Sequence, residues 1–210
     1  MKASLVSDVT GVLLAGGKSR RMGRDKRFLA VGEETLLARS LAALRSVFQH
    51  VLVVVAQDTA AMETDAPVLR DLIPGCGSLG GLYTGLKQAS TEWVFAAACD
   101  MPFLNPDTIR HFVGLKHEGD VLMAKLAHGF QPMHALYHRN CLPVMESLIQ
   151  AGDFKIHRLA DHPSLRVRLV MPEELHLFDP DARSFDNINT PDDLDAARLV
   201  HQKRVKPSTA

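Results

Sequence analysis

Residues 11–27, GVLLAGGKSRRMGRDKR, pass from an apolar run into two glycines and then into Lys18, Arg20, Arg21, Arg24, Lys26 and Arg27. Glycine can take positive φ and lets the backbone approach a ligand closely. Gly16 and Gly17 can therefore turn successive N–H groups toward an anion. Lys26 would add a compact positive charge from beyond the turn. The chemistry is that of binding a phosphate chain. A Walker-type P-loop fails on register: GKS begins at Gly17, so the motif's first glycine belongs at position 12, which holds Val12. For the glycines alone, a tight strand-to-helix turn followed by a solvated basic face is an equal reading.

Asp100 ends the apolar run EWVFAAACD. In open α/β sheets ligands gather at the carboxyl ends of strands, so this carboxylate would face the same crevice as the glycine turn. Opposite a nucleotide triphosphate it would hold Mg²⁺, which bridges one or two carboxylates to phosphate oxygens and keeps several waters. Alone, Asp100 reads first as a turn-capping aspartate before Met101 and Pro102; opposite a phosphate loop the metal reading leads. His134 and His138 would share one face of a strand or helix, as metal-binding histidines can, but a third ligand at metal spacing is missing. Cys76, Cys99 and Cys141 form no C-x-x-C pair, which argues against zinc and against a disulfide framework. Cys99 reads as a small core residue. A reduced, cytoplasmic protein is the simplest expectation.

These groups need elements to hold them. Residues 9–15, 50–56, 66–71 and 92–100 read as buried strands, three of them apolar or β-branched runs of the parallel-sheet kind. Helical spacing marks residues 35–48 and 79–89, the latter with Ser78 as N-cap. Residues 105–116 read as a helix with Asn105 as cap and Pro106 in its first turn. The alternation predicts an α/β, Rossmann-like fold: a mostly parallel central sheet with helices on both faces. DVLMAKL and QPMHALYH are strand candidates flanking AHGF, as in a hairpin or insertion. Residues 142–150 and 191–203 read as helices. One domain over residues 1–204 is expected, with 205–210 a disordered tail.

Lys+Arg and Asp+Glu both number 24, so net charge gives no case for nucleic-acid or membrane partners. The basic cluster lacks the interleaved aromatics of a single-strand binder. No apolar segment is long enough to span a bilayer.

LLAGGKSRRMGRDK, residues 13–26, resembles the LAGGxSxRMGxDK signature of the molybdenum cofactor guanylyltransferases, nucleotidyltransferases on a Rossmann-like fold. The resemblance implies that Leu14, Ala15, Gly16 and Gly17 wrap a nucleotide and that Lys26 contacts its phosphates. CDMP resembles the family's metal-binding CDxP segment, which makes Asp100 the Mg²⁺ ligand. RDLIPGCGSLGGLYTGL resembles D-x-x-P-G-x-G-P-L-x-G, so Asp71 would contact the nucleotide, with Ser78 in place of the usual proline. QPMHALY resembles a stretch beside the acceptor, which points to Gln131 and Pro132 and to guanylyl over cytidylyl transfer. FDNINTPDDLDAA resembles the family's N-x-N-T-P segment. There a capping box explains Thr190, Pro191 and Asp193 but not Asn187 and Asn189, which can hydrogen-bond a polar pterin or phosphate. Arg20, Arg21 and Arg24 would guide the anionic acceptor, and Lys155, His157 and Arg158 would lie near it or on a solvated helix face.

The resemblance implies transfer of GMP from GTP to the terminal phosphate of molybdopterin cofactor, with Lys26 and Asp100 catalytic and pyrophosphate released. Proteins that handle molybdopterin or receive its product would be the partners. Two rivals stay open: a cytidylyl or sugar-phosphate nucleotidyltransferase, and a non-catalytic nucleotide-binding module. The joint presence of Lys26, Asp71 and Asp100 argues against the second.

Overall fold

A computed structural model describes residues 4–16, 25–62 and 64–205. The chain begins with β1 (Val6–Leu14) and, after the basic stretch, a small hairpin of β2 (Ala30–Val31) and β3 (Glu34–Thr35). Then come α1 (Leu36–Arg45), β4 (Phe48–Val55), β5 (Val68–Arg70), α2 (Gly77–Gln88), β6 (Trp93–Ala98) and α3 (Pro106–Gly114). The second half holds β7 (Val121–Leu126), β8 (Gly129–His138), α4 (Leu142–Gln150), β9 (Val167–Val170), α5 (Pro172–Leu175) and α6 (Pro191–Val205).

Seven strands form one sheet in the order β5-β4-β1-β6-β8-β7-β9. Only β8 runs against its neighbours, β6 and β7; the other pairs are parallel. The expected α/β fold, mostly parallel with helices on both faces, is the one observed. Side chains alternate across the pleat. Val9 and Leu13 join one core with Leu37 and Leu41 of α1 and Ile109 and Phe112 of α3. Val12 and Leu14 join the other, with Leu79 and Leu82 of α2 and Val144 and Met145 of α4. A third, smaller core packs Val31 and Leu36 against Phe103, Ile188, Leu194 and Ala197. It fastens α6 to the segment that follows the basic loop.

Caps set several boundaries. The Asn105 side chain accepts from the Asp107 N–H at 2.9 Å, as expected of that cap. Thr190 and Asp193 form a reciprocal box at the start of α6, with N···O distances of 2.8 and 3.2 Å. Ser78 is not a cap: Cys76 precedes α2, and no side chain caps that helix. Helix α1 ends at Arg45, because Phe48 already belongs to β4.

The two histidines have separate surroundings. His138 packs against Trp93 with ring centroids 4.7 Å apart. His134 is fully buried among Phe95, Phe112 and Phe185, and neither ring nitrogen has a hydrogen-bond partner. Among the described residues, no three His, Cys, Asp or Glu side chains group as metal ligands. Burial depresses the His134 imidazole to about 4. The unfolded chain titrates near 6.5, so its neutral-ring stability is complete above that pH and falls as pH drops from about 6.5 to 4, by up to about 3 kcal/mol. Urea unfolding at pH 7 and pH 4.5 should show this loss in the wild type and a shallower one in His134→Phe. Equal slopes in the two proteins would rule it out.

Candidate active site

The carboxyl ends of β1, β4, β5 and β6 lie on one edge of the sheet. Because β8 is antiparallel, its first residues reach the same edge. The chain leaving β1 is pinned on both sides. The Ala15 N–H donates to the Val54 carbonyl at 2.8 Å, and the Leu14 carbonyl accepts from the Cys99 N–H at 3.1 Å. Gly16 is not in the left-handed region. Its requirement is close approach instead: an added Cβ would lie 3.1 Å from the Ala56 backbone nitrogen.

Two clefts open here and share Leu14, Gly16 and Ser78. The first is walled by Ala15, Lys26, Arg27, Cys99, Asp100, Met133 and Asn187. The second runs toward β5 and is walled by Val54, Ala56, Asp71, Gly75 and Gly81. The first turn of α2 projects between them, and a helix start favours anions.

Lys26 opens a short 3₁₀ turn, Lys26–Phe28. Asp25 caps this turn, accepting from the Arg27 backbone N–H at 3.1 Å and from Arg27 Nε at 2.9 Å. The Arg27 guanidinium holds the Asp25 carboxyl below its ordinary range. With Arg27 so engaged, Lys26 is, among the described residues, the cation turned to the carboxylate across the cleft: its Nζ lies 3.3 Å from Asp100 Oδ2 and 3.0 Å from Asn189 Oδ1. The Asp100 carbonyl accepts from the Ile188 N–H at 2.9 Å. That bond delivers the Asn187–Asn189 segment to the cleft.

Asp71 is 8% exposed. Its Oδ1 accepts from the Ile73 N–H at 3.0 Å and from the Thr84 hydroxyl at 3.1 Å. The carboxylate is therefore fixed by its own turn while lining the second cleft. Gly75 and Gly77 take φ of +90° and +58°, which the turn into α2 requires. Gly80 and Gly81 serve the close packing of α2 instead.

The structure thus brings Leu14, Ala15, Gly16, Lys26, Asp71, Asp100, Asn187 and Asn189 to one edge. Gly17 and Arg21, with Lys18, Arg20 and Arg24, lie outside the described residues. Gln131 sits in β8 with its amide donating to the Gly129 carbonyl at 3.2 Å, and the Pro132 carbonyl accepts from the Tyr137 hydroxyl. Met133, one residue on, is the part of β8 that lines the cleft. Arg158 pairs with Asp153 at 2.9 Å. Sequence reasoning missed Asp25 and Met133, and it read Ser78 as a helix cap and a replaced proline where the structure puts it in the cleft wall. Asp25 carries a signal of its own, as the only acid among six cations in residues 18–27.

Cys99 is no nucleophile: burial raises its thiol to about 12. The donor set suits a hard cation with phosphate and water as its remaining ligands, since among the described residues Asp100 faces Lys26 across the cleft while Asp25 is engaged by Arg27. It does not suit zinc, which needs three or four protein ligands.

The family model described as "MobA-like NTP transferase domain" matches residues 11–167. The molybdenum cofactor guanylyltransferase of Desulfosudis oleivorans is 36% identical over 194 residues, covering 91% of this chain and 95% of that protein. That of Syntrophotalea carbinolica is 35% identical over 191 residues, covering 90% of each. The crystal structure of molybdopterin-guanine dinucleotide biosynthesis protein A from Archaeoglobus fulgidus superposes with a TM-score of 0.81 at 30% identity, covering 92% of this chain and 99% of that one. A glycine turn at the end of β1, a lysine facing an aspartate at the end of β6, and relatives of this identity along nearly the whole length lead to one conclusion: the chain belongs to the MobA-like NTP transferase family.

Proposed function

We propose that the protein transfers the GMP moiety of GTP to the terminal phosphate of molybdopterin cofactor, releasing pyrophosphate, in a single domain spanning residues 1–204 that works in the cytoplasm. The observation that carries this reading is the Lys26 ammonium seated 3.3 Å from Asp100 at the mouth of the glycine turn. The names of the relatives supply the substrates. No helix among the described residues is long and apolar enough to cross a membrane.

Leu14, Ala15, Gly16 and Gly17 hold the nucleotide by backbone groups, and Asp71 borders the cleft beyond them. Lys26 neutralises phosphate oxygens as negative charge moves toward the leaving pyrophosphate. Asp100 would hold Mg²⁺, which supplies charge neutralisation at the reacting phosphates. An acceptor phosphate oxygen attacks the α-phosphorus in line; the new P–O bond forms as the bond to the β-phosphate oxygen breaks. A phosphate monoester has its second pKa near about 6, so the attacking group is already anionic and no strong base is needed. Asn187, Asn189, Gln131 and Arg21 would contact the acceptor. Proteins that handle molybdopterin would accept the product.

The test is pyrophosphate release with Mg²⁺ and molybdopterin cofactor, comparing GTP, CTP, ATP and UTP. Turnover is expected with GTP alone. Preference for CTP would make the enzyme a cytidylyltransferase. Silence with all four would point to a sugar-phosphate acceptor, and GTP binding without turnover on any acceptor would make it a binding module.

A further inference from the structure

Asp100 and Asn189 both hold Lys26. Asp100 Oδ2 lies 3.3 Å from its Nζ and Asn189 Oδ1 lies 3.0 Å away. Both members of the ion pair are mostly shielded, with side chains 17% and 23% exposed. Asn189 is itself anchored: its N–H donates to Asp193 Oδ2 at 2.8 Å, an oxygen it shares with the Thr190 N–H. The neighbouring Ile188 N–H holds the Asp100 carbonyl. One short segment therefore fixes the backbone of Asp100 and the cation on its carboxylate together.

We propose that Asn189 is a positioning residue for Lys26, and that the pair keeps Asp100 neutralised until metal and nucleotide arrive together. The inference rests on the nucleotidyl-transfer reading above. A divalent cation arriving alone must displace the ammonium from Asp100 or bind beside a like charge. A metal–nucleotide complex brings phosphate oxygens that offer the ammonium a new partner, so Lys26 moves to them and Asp100 takes the metal. The acceptor-side segment is thereby coupled to the nucleotide side through one asparagine carbonyl.

The measurement is Mn²⁺ affinity of the full chain, read from the free-ion EPR signal, with and without GTP. Without nucleotide, Lys26→Met should bind Mn²⁺ about fivefold or more tightly than wild type, because a like charge has left the site. Asn189→Leu should move the same way by about twofold, since the ammonium loses the Asn189 carbonyl. With GTP present the sign should invert, and Lys26→Met should bind Mn²⁺ more weakly than wild type. Lys26→Gln serves if Lys26→Met does not melt cooperatively. Unchanged or weaker nucleotide-free affinity in the lysine variants would overturn the proposal while leaving nucleotidyl transfer standing. If instead Asp100→Asn leaves the Mn²⁺ affinity measured with GTP unchanged, the metal role assigned to Asp100 is what fails.

Discussion

Asp100→Ala is expected to lower GTP-dependent pyrophosphate release by about three orders of magnitude or more, the scale reached when a principal charge stabiliser is lost. The fold should be unaffected. The carboxylate is partly solvated, and the backbone of residue 100 stays held through the Ile188 N–H. GTP binding should change by only a few-fold, because the pinned end of β1 and the second cleft are untouched. Filter binding of GTP beside a coupled pyrophosphate assay separates the two effects. A variant that keeps more than a tenth of its turnover would move the metal role away from Asp100.

Gly80→Ala is expected to damage stability and nucleotide affinity together. The added Cβ would lie 2.9 Å from the Ile73 carbonyl and 3.0 and 3.1 Å from the two Asp71 carboxylate oxygens. A backbone carbonyl in a tight turn has little room to yield. Overpacking of this kind costs about 1–3 kcal/mol. For a chain of this size that corresponds to a fall in melting temperature of about 2–12 °C. Because Asp71 sits in the contact, the Michaelis constant for GTP should rise by about tenfold, a loss of roughly one strong hydrogen bond. Gly114→Ala is the control: nothing lies within 4 Å of its Cβ, and the variant should be neutral or slightly stabilised. Equal melting temperatures for Gly80→Ala and wild type would refute the packing account.

The buried strands were legible because β-branched and apolar runs such as HVLVVVA leave no polar face to solvate. Asn105 and the Thr190–Asp193 box were legible as caps because local side-chain chemistry decides them. β9 was not legible. It is a four-residue edge strand containing Arg168, and it needs only β7 as partner. Helix α5, at four residues, is too short to show a period. In the site, Lys26, Asp71 and Asp100 announce themselves by residue type within motifs. The grip of Asn189 on Lys26 joins positions 163 residues apart, and no local pattern encodes such a contact. Gly16 shows the converse: its identity was legible but its reason was not, since the turn uses its missing Cβ and not positive φ.

The third core cluster and the Ile188 bond to Asp100 mean that the candidate site is closed by α6, the last helix among the described residues. The strands that carry Leu14 and Asp100 can pair as soon as β1, β4 and β6 are made. Lys26 meets the Asn189 carbonyl only when the segment leading into α6 has docked, which makes the site one of the most non-local features of the chain. The geometry around Asp100 is therefore an end point of folding, completed after the core of the sheet has condensed.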